Sequence, residues 1–285
     1  CSWALFLRPL FEAYEEASRM IRQIFFQHTA KVEPVSLYEA YLDVTGHRLG
    51  WTDPVMVASV IKQSIYAVTR LRASAGVAPN RFLAKIASDH EKPDGLTVIH
   101  PEEVLSFLEN LSVRKIPGVG PVTEKELLGA GVATCGDLLK RSRAFLAGRF
   151  GKWGETLYER ARGRDVREVE PDGESKQLSS EETFEKDTRS LPWMKNRLES
   201  FAREVFTLLS EEKRMGNTVT LKVKYFDFQT ITRSHTLPYP PADWREVFRT
   251  AVMLLEKRTL AGKKPVRLLG LGISGLKPLK AQKTA

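Results

Sequence analysis

Cysteine is scarce. The 285 residues hold two, Cys1 and Cys135, too few for a disulfide framework, and the count points to a reducing cytoplasm. Long apolar runs are missing as well. Arg or Lys interrupts every hydrophobic stretch before it reaches spanning length, so no membrane-spanning helix is expected. No secretory signal is visible, and a start on Cys1 rather than Met reads as a fragment cut from a longer protein. What is present is globular: 42% hydrophobic and 28% charged residues, with length for two or three compact units.

The net charge is +9, and its placement carries more information than its size. Residues 185–285 hold 20 Lys and Arg against 10 Asp and Glu, while residues 1–184 hold 24 against 25. A neutral body with a basic end calls for a polyanionic partner, nucleic acid first and a membrane surface second.

The stretch from Ser36 to Thr45 alternates, with Leu37, Glu39, Tyr41 and Asp43 to one side and Tyr38, Ala40, Leu42 and Val44 to the other. Period two predicts a strand. Carboxylates among apolar neighbours are costly unless a cation or hydrogen bonds offset them, so the sharper reading is a strand that presents an acid to a metal. The plainer reading leaves both acids in water.

Helical spacing predicts a helix over 11–28, with Phe11, Tyr14, Ala17, Ile21, Ile24 and Phe25 inward. It predicts another over 53–70, with Asp53 as cap and Pro54 at the first helical position. A small-residue strand over 72–78, a helix from Arg81 to Asp89 carrying Lys85, and a short strand over 96–99 complete a βαβα pattern around one sheet. Next comes Ile116-Pro117-Gly118-Val119-Gly120, with an apolar helix behind it. Helix, Pro-Gly-Val-Gly, helix is the pattern of a helix-hairpin-helix. Its glycines let backbone approach a phosphate, and the following helix N-terminus offers free N–H groups to the anion. Such a contact grips DNA without reading its bases. Cys135 reads as a small core residue. Glu168 to Lys176 is polar and broken by Pro171 and Gly173, as a linker would be.

From Gln177 the order becomes βαββαβ, a split βαβ arrangement with helices on one face of a four-stranded sheet. The fold class is therefore α+β. The open sheet face is expected to carry Lys222, Lys224 and Arg233 toward nucleic acid. Lys277-Pro278-Leu279-Lys280 reads as a disordered basic tail.

The runs Ser36–Thr45, Ser74–Asp89, Lys92-Pro93-Asp94-Gly95 and Ile116–Gly120, in that order and with essentially the whole chain around them, resemble the Y-family DNA polymerases, in their bacterial polymerase IV branch. The resemblance implies an incomplete palm over 1–92, a thumb over 93–170, a linker over 171–177 and a little finger over 178–285. It implies template-directed DNA synthesis past damaged bases, with primer–template DNA and a deoxynucleoside triphosphate as partners. Palm acids would hold two Mg²⁺ ions, with Glu39 as a catalytic and metal-binding acid. Lys85 would contact the triphosphate, and Pro117, Gly118, Val119 and Gly120 the primer backbone. A monomer in the cytoplasm is implied, and a sliding clamp enters as a partner, though no clear clamp-binding peptide stands near the end.

Two departures weigh on the activity. Tyr38 stands where the family pattern has an Asp, and a neutral phenol is a poor Mg²⁺ ligand. The family's first strand, with its own metal-binding Asp, and its fingers have no counterpart in this sequence. About four residues of strand put Asp43 roughly 13 Å from Glu39, too far to complete one cluster. The expectation is a chain that does not polymerise alone. The rival is a non-catalytic duplex-binding fragment of such a polymerase. A third reading, an unrelated helix-hairpin-helix repair protein, would require that no βαββαβ unit follow residue 177.

Overall fold

The computed structural model describes residues 5, 7, 9–171 and 176–279. The chain divides into two compact units, residues 1–173 and 174–285.

The first unit opens with α1 (Phe11–His28), followed by β1 (Val32–Pro34) and β2 (Ala40–Leu42). These two strands pair antiparallel, Val32 opposite Leu42. The ten-residue strand expected over 36–45 is therefore only three residues long. The backbone N–H groups of Val35 and Ser36 both donate to the Glu39 carbonyl, at 2.8 and 3.2 Å. That reverses the chain over 35–39 and puts Glu39 at the mouth of a hairpin. α2 (Pro54–Thr69) starts as expected, with the Asp53 carboxylate accepting from the Val55 N–H at 2.9 Å. The inner face of α1 is narrower than its periodicity indicated: Ile24 is buried, whereas Phe11 is 60% and Tyr14 39% exposed.

β3 (Ala75–Val77) leads into α3 (Arg81–His90), and β4 (Leu96–Val98) pairs parallel with β3. The single sheet expected here is in fact two separate two-stranded sheets. A Cβ on Gly76 would lie 2.2 Å from the Ala84 carbonyl oxygen, so only glycine lets β3 sit this close to α3. The rest of the unit is helical: α4 (Val104–Glu109), α5 (Pro121–Gly129), α6 (Cys135–Leu139), α7 (Arg143–Phe150) and α8 (Lys152–Ala161).

Helical period gives α3 two faces. Phe82, Leu83, Ile86 and Ala87 are buried with Leu108, Ile116, Leu127, Leu146 and Leu157, so α3 belongs to the helical core that follows it while also packing against β3 before it. Arg81, Lys85 and Asp89 recur every fourth residue and form the other face.

The second unit runs β5 (Gln177–Thr188), α9 (Leu191–Glu211), β6 (Arg214–Met215), β7 (Thr218–Tyr225), β8 (Thr230–Thr236), α10 (Trp244–Arg258), β9 (Val266–Ser274) and β10 (Lys277–Pro278). Four strands form one sheet in the order β5-β9-β7-β8, every neighbouring pair antiparallel. β5 and β7 are thus parallel, with β9 between them, and β8 and β9 are parallel, with β7 between them. This is the split arrangement expected from the sequence. Val219, Leu221, Val223 and Tyr225 of β7 alternate into a core with Leu198, Phe201 and Val205 of α9 and Val247, Ala251 and Leu254 of α10. The expected disordered tail is instead ordered over Lys277–Pro278: β10 pairs with β6, and the Leu279 N–H donates to the Lys213 carbonyl at 2.8 Å. Lys280 lies outside the described residues.

Candidate nucleic-acid interface and palm site

Glu39 and Lys85 are 46 residues apart, and the fold brings them together. The Lys85 Nζ donates to Glu39 Oε1 at 2.7 Å and lies 3.4 Å from Asp89, which in turn pairs with Lys92 at 2.5 Å. Burial works against the Lys85 charge, but its hydrogen bond to Glu39 and the two nearby carboxylates outweigh that and raise its pKa. One helical turn earlier, Arg81 pairs with Glu33 and lies over the Tyr41 ring, 4.6 Å from its centroid. Two rungs, Glu33–Arg81 and Glu39–Lys85, therefore dock the charged face of α3 on the β1–β2 hairpin. Burial pushes the Tyr41 phenol up, against the lowering pull of Arg81 and Lys85.

Tyr38 is 59% exposed and packs edge-on against Tyr14, with ring centroids 6.2 Å apart. Asp43 is taken by Lys31 at 3.0 Å and by the Thr45 N–H, so its carboxylate serves the ends of its own strand pair. Among the described residues no three of His, Cys, Asp and Glu are grouped to hold a metal ion. A Mg²⁺ ion prefers octahedral oxygen donors, but the Glu39 carboxylate is bound to the Lys85 ammonium, Asp89 beyond it pairs with Lys85 and Lys92, and the Tyr38 ring packs on Tyr14. These residues do not fit the two-metal centre that the family resemblance implies.

The glycine hairpin sits between α4 and α5. Val119 is buried, so only its backbone could meet a ligand, while Gly118 is exposed. Gly118 holds φ +94°, and a Cβ there would lie 2.7 Å from the Trp153 ring. Gly120 occupies the N-cap of α5 with no capping side chain, and Pro121 follows at N1. First-turn N–H groups are thereby left for an anion. A support that no motif announced lies behind the hairpin. Arg160 is buried, donates to the Pro117 carbonyl at 2.5 Å, and stacks between Trp153 and Phe82 at 5.0 and 5.4 Å. It stands 43 residues from Pro117, and only its place on the inner face of α8 could have hinted at it.

In the second unit, Lys222 and Lys224 lie on the face opposite the helices, with Thr218, Thr220, Thr230, Thr232 and Ser234 around them. Gly270 and Gly272 of β9 lie opposite Lys222 and Thr220 on the same face and leave its middle flat. Lys222 is bridged to Glu181 of β5 at 2.9 Å. Arg233 does not belong to this face. It is opposite Leu221, on the helix side, and its Nε donates to the Arg258 carbonyl at the end of α10, at 2.9 Å. Side-chain direction alternates along a strand, and Arg233 has the wrong parity to join Lys222 and Lys224.

Comparison with known proteins bears on both units. Residues 1–89 match the impB/mucB/samB family, residues 114–165 the DNA polymerase-iota thumb domain, and residues 175–285 the impB/mucB/samB family C-terminal domain. The chain is 43% identical over 275 residues to DNA polymerase IV of Xanthomonas euvesicatoria pv. vesicatoria (strain 85-10), covering 96% of this chain and 76% of that protein. The chain belongs to the Y-family DNA polymerases. It is equally 43% identical, over 277 residues, to DNA polymerase IV of Stenotrophomonas maltophilia (strain R551-3), covering 97% of this chain and 78% of that one. Among solved structures this Y-family chain is similar to the Y-family DNA polymerase chimera Dbh-Dpo4(243-245)-Dbh, with TM-score 0.84 and 25% identity over 97% of this chain and 80% of that one. The insertion ternary complex of Dbh DNA polymerase gives TM-score 0.64 and 26% identity over 95% and 78%. Among the described residues, no helix is long and apolar enough to cross a membrane.

Proposed function

We propose that this Y-family chain grips primer–template DNA in the setting of translesion synthesis, as a cytoplasmic monomer, and that its palm does not perform two-metal nucleotidyl transfer by itself. The thumb hairpin would hold backbone phosphates through Gly118, Gly120 and the first turn of α5, and the open face of the second unit would add Lys222 and Lys224. The observation that carries the second half is the state of Glu39: its carboxylate is paired with Lys85, and Tyr38 supplies no second anionic ligand beside it. A deoxynucleoside triphosphate would have to compete with Glu39 and Asp89 for the Lys85 ammonium.

The test is DNA affinity against salt. Binding through several phosphate contacts weakens with salt: the logarithm of the association constant falls linearly with log salt, with a slope of about −0.9 per phosphate neutralised. A duplex with a primer–template junction should bind at low salt with a slope of several. No binding at low salt would contradict the grip.

A further inference from the structure

Residues 164–170 leave α8 with no helix or strand of their own, and a polar segment of that kind would ordinarily be solvated. Here it is stitched to three side chains that are remote in sequence. The Asn80 Nδ2 donates to the Gly163 carbonyl at 2.7 Å. The Arg81 Nη1 donates to the Glu168 carbonyl at 2.7 Å, while its Nη2 pairs with Glu33. The second oxygen of Glu33 accepts the Glu170 backbone N–H at 2.8 Å. Asp165, its side chain 7% exposed, braces the segment from within by a two-point pair with Arg167 at 2.8 and 2.5 Å. Arg81 and Glu33 are 13% and 18% exposed, so their attraction is screened far less than that of a surface pair.

We propose that Arg81 and Glu33 form a latch that shortens the chain joining the two DNA-binding units. Without it, residues 164–176, thirteen in number, separate Gly163 from the start of β5; with Glu170 held, residues 171–176, six in number, do so. The effective concentration of one tethered binding element for its partner's site falls roughly as the −3/2 power of tether length, and a ratio of thirteen to six gives about threefold. The latch therefore acts as an affinity device, with Glu33 and Arg81 as positioning residues that touch no DNA. Its affinity consequence rests on the DNA grip proposed above; its existence does not.

The experiment uses the full chain with Glu33→Ala and with Arg81→Lys. Backbone amide exchange is read at Glu170, with the Leu83 amide, held by Asn80 at 3.1 Å, reporting that α3 is intact. In the unaltered chain the Glu170 amide should exchange at least about tenfold more slowly than in an unstructured peptide. Glu33→Ala should remove that protection while leaving Leu83 protected, and should raise the Kd for primer–template DNA about threefold. Arg81→Lys should fall between, because one ammonium cannot reproduce a guanidinium fork that reaches both Glu33 and the Glu168 carbonyl. Rapid Glu170 exchange in the unaltered chain would overturn the latch. Freed Glu170 with unchanged Kd would overturn its role in affinity. Failure of the unaltered chain to bind DNA would count against the grip, and the exchange arm would still decide the latch.

Discussion

Glu39 carries a negative charge at the mouth of a hairpin, and the side chain that meets it is an ammonium from α3. Elsewhere in the same unit two buried imidazoles, His28 and His47, meet each other. His47 Nδ1 accepts the Leu49 N–H at 3.2 Å, so its proton sits on Nε2 and is donated to His28 Nδ1 at 2.9 Å. Protonating His28 on that nitrogen would set N–H against N–H. Burial, and then the neighbouring His47, lower the His28 pKa below its ordinary 6.5. The unfolded chain therefore takes up this proton near pH 6.5, and the folded chain only at lower pH. Stability is unaffected by this group above pH 6.5 and falls as pH drops below it. Thermal unfolding of the first unit should show Tm declining by a few degrees in that interval, and His28→Gln should remove that part of the slope. An unchanged slope in the variant would contradict the assignment. Cys135 is fully buried, and burial pushes its thiol up to about 12. A thiol reagent should leave Cys135 unmodified in the native protein and label it once denaturant is added.

At the scale of elements, the hairpin of the first unit and the open sheet of the second make separable claims. Gly118→Ala combines a left-handed backbone position with a Cβ 2.7 Å from Trp153. It should cost about 1–3 kcal/mol of stability and weaken DNA binding several-fold, checked by denaturant titration and by Kd. On the sheet, Lys224→Gln should reduce the salt slope of DNA binding by about one. Arg233→Gln should leave that slope unchanged and act on stability instead, because Arg233 ties β8 to the end of α10. Equal effects of the two on the slope would contradict the face assignment. These elements also show what the sequence could disclose. Period two along β7 and the capping of α2 by Asp53 are local and were legible. The place of Glu39 just outside β2 is not legible, because the two backbone hydrogen bonds that turn the chain before it leave no mark on side-chain periodicity. Arg233 shares the charge of Lys222 and Lys224 but not their parity along the strands, and parity decides the face. Arg160, the His28–His47 pair and the Glu33 clasp depend on contacts between residues tens of positions apart, and no spacing rule reaches them.

At the scale of the whole molecule, two units with their own cores are joined by a short segment. Each presents backbone or lysine groups suited to phosphate, while among the described residues no three metal-ligating side chains are grouped. Family membership is shown by matches that cover most of the chain, and the departure at Tyr38 is visible only residue by residue. Removal of a single electrostatic contributor typically costs a factor of about 10²–10³ in rate, and Tyr38 stands where the family resemblance implies an acid. The measurement that bears most directly on the account is primer extension in Mg²⁺ and all four deoxynucleoside triphosphates, at a chain concentration shown to saturate the primer–template. We expect bound primer and no extension above the uncatalysed background. Extension at a rate like that of the related polymerases, from the chain alone, would contradict it.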